Sequence, residues 1–312
     1  MKSCLKTVSI ILVLSLMLAC GMLFLSSCDK KDDGMQAVDY ARINDFAVNQ
    51  EQLIVNPDAV EAQQFGASIY FPAGNVEAKY GFLFFVGTAI PPEKYDYLAT
   101  ALAKQGFVVA IPIVSLNMTY AYYGENTKVV AEKIFEKYSD IEFFVGGHSQ
   151  GGGAAMRFAY EELERIKGAV FMSPLCYAAH EIERADYDPF DPESERYERD
   201  ADGKIIYQFD TLANTTLPVL LLEASGDHVL TENMKNDARE RMSQNTKRYE
   251  ISPAAHMSFS TFDDDAILNL FNHDGDGLSQ TDKDNQRFLT VSYVLDFLQR
   301  LCHNKWLIFD EK

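Results

Sequence analysis

Residues 143–160 read FFVGGHSQGGGAAMRFAY. An apolar run with the length of a strand enters two glycines, and the residues after the next three glycines have helical spacing. The chain must therefore turn from strand to helix within a few residues, with Ser149 at the apex. Bulky neighbours would collide across so tight a bend, so Gly147 and Gly151 are the residues it needs. An apex residue is held in a strained backbone conformation that lifts its hydroxyl clear of the sheet. Gly152, Gly153, Ala154 and Ala155 then let the new helix lie close to the sheet. The segment Gly147-His148-Ser149-Gln150-Gly151 thus fits the G-x-S-x-G nucleophile elbow. A phosphate cradle would place a lysine after the glycines, and there is none. A dinucleotide fingerprint would end the next strand on an acidic residue, and that strand reads AVFMSP.

Outward from the elbow, short apolar runs alternate with longer amphipathic ones. Strands are expected at 67–71, 80–86, 107–112, 141–147, 169–172, 219–224 and 247–251. Helices are expected at 93–105, 126–138, 150–165, 232–243 and 281–301. Runs such as GFLFFV and PVLLLEA do not alternate, which suits strands covered on both faces. Strands alternating with helices imply parallel pairing with right-handed crossovers, hence a doubly wound, mostly parallel α/β sheet. One polar, acidic and tyrosine-rich segment within 173–217 breaks this rhythm. It reads either as a solvated surface excursion or as a lid over the crevice at the strand carboxyl ends. Tyr177, Tyr187, Phe190 and Tyr197 would there suit an apolar acyl or aryl group.

A serine hydroxyl needs a base to take its proton, so an acid and a histidine should come after it in the chain. Strand 219–224 runs into Gly226-Asp227, and His256 lies in the loop after strand 247–251. Asp227 is therefore the expected acid and His256 the expected base. His228 adjoins the acid, His148 lies inside the elbow and His180 precedes the acid. His273 and His303 read as surface residues. Glu223 and the run Asp263 to Asp265 are the alternative acids. The oxyanion would be met by the main-chain N–H of Gln150 and by that of Thr88, in the Gly87-Thr88-Ala89 loop after strand 80–86.

The remaining features set the surroundings. The 312 residues are 47% hydrophobic, enough for one large α/β domain or two small ones. A net charge of −18 argues against nucleic acid, which needs clustered Lys and Arg. Lys2 and Lys6 precede an apolar run over residues 8–25 that ends in Leu25-Ser26-Ser27-Cys28. That layout is a secretory leader whose end resembles a bacterial lipobox, implying cleavage before Cys28 and diacylation of its thiol. Cys20 is a poorer match, and an uncleaved anchor is the competing possibility. The expected organisation is a leader over 1–27, a polar linker over 28–50, a domain over 51–302 and a tail over 303–312. The excursion spans 175–217 of that domain. The protein would then sit in the cell envelope, outside the cytoplasm, attached to a membrane through its N-terminal lipid. Cys176 and Cys302 are too few for a disulfide framework and are read as free thiols. Asn272-His273-Asp274-Gly275-Asp276-Gly277 invites a calcium-loop reading, but Lys283 stands where a bidentate Glu belongs. A turn capped by Ser279 or Thr281 is expected instead, with no metal.

The chain resembles the α/β-hydrolase superfamily, in particular its small bacterial branch of the fold-5 type. The likeness is carried by Phe71-Pro72-Ala73, VGTAIPPEKYDYLATALAKQGFVVAIP, SLNM, GGHSQGGGAA and AAHMSF with the later DGDGLSQTDKDNQ. It implies the α/β-hydrolase fold, with a lid-like excursion after the sixth strand. It also implies Ser149 as nucleophile, Asp227 as acid and His256 as base, with no cofactor. The chain departs from the family pattern at Thr88, where a second glycine is usual, and in the length of the excursion. The chemistry expected is hydrolysis of a small or polymeric carboxylic ester or a thioester. The alternatives are a transacylase or a non-catalytic envelope lipoprotein that binds a ligand on the same scaffold.

Overall fold

The apolar runs form the middle of one eight-stranded sheet. The computed structural model describes residues 48–302 apart from 56–64, 73–77, 79, 122, 177–178, 183, 185, 187–193 and 263–277. The leader, Cys28, most of the linker and the tail therefore lie outside the described residues. So do Tyr177, Tyr187, Phe190, Asp263 to Asp265, His273, His303 and the loop 272–277.

In chain order the elements are β1 (Val48–Ile54), β2 (Gly66–Pro72), β3 (Tyr80–Phe85), α1 (Asp96–Lys104) and β4 (Phe107–Ile113). Then come α2 (Lys128–Lys137), β5 (Glu142–His148), α3 (Gln150–Glu161), β6 (Ile166–Met172), β7 (Ala179–Glu181) and β8 (Tyr207–Phe209). The last are β9 (Val219–Ala224), α4 (Glu232–Glu240), β10 (Thr246–Ile251) and α5 (Gln280–Cys302). The strand order is β1-β2-β4-β3-β5-β6-β9-β10. β1 and β2 pair antiparallel, as do β2 and β4, and every later pairing is parallel. The small strands β7 and β8 form a separate antiparallel pair inside the excursion.

Alternate residues of β3 fill both layers of core, because successive side chains of a strand point to opposite faces. Phe85 packs on Phe158 of α3, and Phe135 of α2 lies between Phe143 and Phe158 with ring centroids 4.3 and 5.4 Å away. On the other face Phe82 stacks along Phe84, whose ring centroid is 4.9 Å from that of Tyr95. Leu301 of α5 lies over Gly168 on β6, and Tyr293 stacks on Tyr249 of β10. Each such fully buried aromatic stabilises the fold by roughly 1.5–3 kcal/mol.

Differences from the sequence-based expectations have local causes. β1, with sequence VNQEQLI, begins three residues inside the stretch expected to be linker; as an edge strand it buries little and carries no apolar run. The helix expected from residue 93 starts as a 3-10 turn over Pro92–Tyr95. There Tyr95 takes φ −115° and turns a wholly buried side chain inward. Helix α2 is preceded by a π turn over Tyr123–Thr127. Ser279 caps α5: its Oγ accepts from the Asp282 N–H at 3.2 Å, and Asp282 Oδ2 accepts from the Ser279 N–H at 3.0 Å. The return leg of the excursion is tied down where the Leu212 N–H donates to Arg241 O at 2.8 Å. Cys176 and Cys302 form no disulfide. Among the described residues no helix is long and apolar enough to cross a membrane.

Candidate active site

Backbone strain gathers at one end of the sheet. Ala89 (φ 60°) lies beyond β3, Leu116 and Asn117 (56° and 52°) beyond β4, Ser149 (55°) beyond β5, and Ser173 (38°) beyond β6. These are four adjacent strands, and each strained residue sits just past a carboxyl end. Residues with side chains reach this region at a cost of about 1–3 kcal/mol each, and such costs persist mostly at functional sites.

Ser149 stands between β5 and the first turn of α3, with φ 55° and ψ −126°. Its N–H donates to Met172 O at 3.1 Å, and its carbonyl accepts from the Gly152 and Leu175 amides, both at 2.9 Å. The bend leaves no room for side chains on either flank. A Cβ on Gly147 would lie 2.2 Å from Gly151 O, and one on Gly151 would lie 2.2 Å from Phe85 O. The positive end of α3 points at the serine.

Beside the elbow runs the loop 87–90. Its Gly87 N–H donates to Tyr95 Oη at 3.1 Å, Ala89 N–H to Asn117 O at 3.2 Å, and Ile90 N–H to Gly87 O at 3.1 Å. Among the described residues the Thr88 and Gln150 N–H groups donate to no protein acceptor. The two residues are side by side, since the Thr88 hydroxyl donates to Gln150 Oε1. The departure from glycine at Thr88 thus adds a side-chain tie between the loop and the elbow.

Asp227 lies beyond β9 and His256 beyond β10, and both are nearly inaccessible at 5% and 1% exposure. His256 Nδ1 lies 2.8 Å from Asp227 Oδ2. The other carboxylate oxygen accepts from the Val229 and Leu230 amides at 3.0 and 2.9 Å. Burial alone would raise the Asp227 pKa. His256, the Leu230 amide and Lys235 outweigh it and hold the carboxyl well below the usual carboxylate range. An ionised Asp227 accepts the Nδ1 proton, which leaves Nε2 of the imidazole as the basic nitrogen.

The His256 loop is docked on the elbow through the residue before the serine. His148 Nε2 donates to the His256 carbonyl at 3.0 Å, and the two rings are 4.8 Å apart. Among the described residues no hydrogen bond joins Ser149 Oγ to His256. The alternative acid Glu223 is engaged elsewhere, bonded by Arg239 at 2.9 Å and by Arg248. His228 is exposed. A cavity of about 380 Å³ lined by Phe71, Val108, Tyr138 and Ile141 lies near the starts of β4 and β5, at the opposite end of the sheet.

Two residues of this site had no role assigned from the sequence. Tyr95 is one. The other is Gln286 of α5, wholly buried, whose Oε1 accepts from the Ala255 N–H at 2.9 Å while Nε2 donates to Ala255 O at 2.8 Å. The signal was in view: Tyr95 ends PPEKY, and Gln286 ends DGDGLSQTDKDNQ.

Residues 81–186 match the model of the alpha/beta hydrolase family. Est1E from Butyrivibrio proteoclasticus is similar in structure at 14% identity and a TM-score of 0.51, covering 81% of this chain and 98% of that one. A protein from Thermoplasma acidophilum described as a predicted CIB-like hydrolase has 13% identity and a TM-score of 0.47, with 80% of this chain and 99% of that one covered. No curated protein matches in sequence. The fold is therefore that of the α/β hydrolases.

Proposed function

We propose that the protein is a serine hydrolase that cleaves a carboxylic ester or thioester through an acyl-enzyme. Ser149 Oγ attacks the carbonyl carbon as His256 Nε2 takes its proton. Asp227 holds the imidazole in the Nδ1–H tautomer and stabilises the imidazolium that forms. The Thr88 and Gln150 N–H groups receive the oxyanion; losing one such donor costs about 100- to 1,000-fold in rate. The imidazolium then gives its proton to the leaving alcohol or thiol. Water, deprotonated by the same nitrogen, releases the acid and restores the serine.

The observation that carries this reading is the buried 2.8 Å contact between Asp227 and His256 on a loop docked beside a strained Ser149. A structural ion pair alone would not explain a serine held at φ 55° next to two amides that, among the described residues, have no protein acceptor. The test is hydrolysis of 4-nitrophenyl acetate by the wild type and by Ser149→Ala. Activity in the first and only background rates in the second are expected; equal rates in both refute the assignment. The leader and Cys28 support placing this domain outside the cytoplasm, held to a membrane by a lipid on that thiol.

A further inference from the structure

Nothing in the proposed chemistry uses the buried pair Tyr95 and His148, yet a single line of hydrogen bonds runs through them. The Gly87 N–H donates to Tyr95 Oη at 3.1 Å, Tyr95 Oη lies 2.8 Å from His148 Nδ1, and His148 Nε2 lies 3.0 Å from the His256 carbonyl. Both side chains are wholly buried. The two ends of the line fix every proton in it. An amide only donates, so Tyr95 Oη accepts from Gly87 and has its own proton to give. A carbonyl only accepts, so the proton on the His148 ring is on Nε2, and Nδ1 takes the one from Tyr95. One neutral tautomer satisfies all four groups.

The same line joins three parts that reach the site from separate places in the chain. Gly87 precedes Thr88, His148 precedes Ser149, and the terminal carbonyl belongs to His256 itself. The turn carrying Tyr95 also grips the far side of the His256 loop. The Thr261 N–H donates to Lys94 O at 2.8 Å, and Tyr97 Oη donates to Phe259 O at 2.8 Å. We propose that Tyr95 and His148 are positioning residues that hold the Thr88 loop and the His256 loop in register with Ser149. This rests on the serine-hydrolase reading and adds to it the device that keeps nucleophile, base and oxyanion amides aligned. A displacement of about 1 Å at such a centre costs on the order of 100-fold in rate.

Tyr95→Phe keeps the ring against Phe84 and removes only the bridging hydroxyl. Its turnover of 4-nitrophenyl acetate is measured per serine titrated by a fluorophosphonate, so unfolded molecules drop out. The expected result is a fall in kcat of about 10- to 100-fold with KM unchanged within about twofold, the signature of lost alignment and not of lost binding. His148→Gln, which keeps a donor for the His256 carbonyl, is expected to retain more kcat than His148→Leu. In the wild type, ¹⁵N NMR should show His148 protonated on Nε2. A kcat for Tyr95→Phe within about twofold of wild type, or His148 protonated on Nδ1, overturns the proposal. If Ser149→Ala hydrolyses the ester as fast as wild type, it is the serine-hydrolase reading that fails. The NMR result still judges the hydrogen-bond line in that case.

Discussion

His256 Nδ1 and Asp227 Oδ2 meet at 2.8 Å in a space closed to solvent, while the second Asp227 oxygen is occupied by the Val229 and Leu230 amides. The carboxylate therefore has one oxygen for the backbone and one for the imidazole. Asp227→Asn preserves the acceptor for the two amides and replaces the other oxygen by an amide nitrogen that donates. The imidazole is then pushed into the wrong tautomer. Turnover is expected to fall on the order of 1,000- to 10,000-fold while the fold survives. Steady-state kinetics beside a thermal melt checks both halves, and near-normal turnover would remove Asp227 from the acid role.

Gln286 is hydrogen-bonded to Ala255, the residue before His256. Gln286→Leu leaves the buried N–H and C=O of Ala255 without partners, at an expected cost of about 2–4 kcal/mol. Because Ala255 adjoins His256, kcat/KM should also fall about 10- to 100-fold. Denaturant unfolding together with kinetics separates the two effects. A variant that loses stability with unchanged kcat/KM would show that the clamp serves folding alone.

Leu116 is 62% exposed and sits at φ 56°, a conformation bulky side chains avoid. Its neighbour Asn117 accepts from the Ala89 N–H, which places the strain beside the loop 87–90. Asn tolerates this backbone better, so Leu116→Asn is expected to gain up to about 1 kcal/mol of stability. If the leucine is kept there to meet an apolar acyl group, KM for long-chain esters rises and KM for acetate esters does not. A melt and an acyl-length series of chromogenic esters decide it, and unchanged KM across the series would contradict the contact.

Two buried carboxyls pull stability in opposite directions with pH. Asp227 is held below the usual range, so its contribution is present above about pH 4 and is lost on acidification. Burial pushes Asp210 up to about 6 against the pull of Arg157. Its contribution is present below about pH 4 and is lost as pH rises through 6. Asp210→Asn should therefore raise Tm above pH 6 by about 2–4 °C and change little at pH 4. Melts at pH 4 and pH 8 test the sign, and an equal shift at both would contradict it.

Much of this was legible in the chain because the elbow leaves so few choices. Glycines at 147 and 151 and a strand-to-helix switch at Ser149 point to one bend, and the contacts there show why no Cβ fits. The order of Asp227 and His256 after β9 and β10 could be read because parallel strands deliver their next loops to the same edge. What could not be read depends on pairing across space. β1 has a polar middle, Asn49 to Gln52, and pairs along its whole length with β2. Glu223 stands in sequence as an alternative acid to Asp227, and its engagement by Arg239 and Arg248 is visible only across space. Tyr95, His148 and Gln286 hydrogen-bond to partners between 8 and 108 residues away, a distance over which hydrophobic periodicity is silent.

In the proposed mechanism the hydroxyl of Ser149 is a nucleophile made competent by its surroundings. The direct measurement is intact-protein and peptide mass spectrometry after brief treatment with a fluorophosphonate. One adduct, on the peptide carrying Ser149, is expected in the wild type, with the reaction much slowed in His256→Ala. A folded wild type that takes up no label, or an equally fast reaction in His256→Ala, would show that Ser149 is not a nucleophile activated by His256.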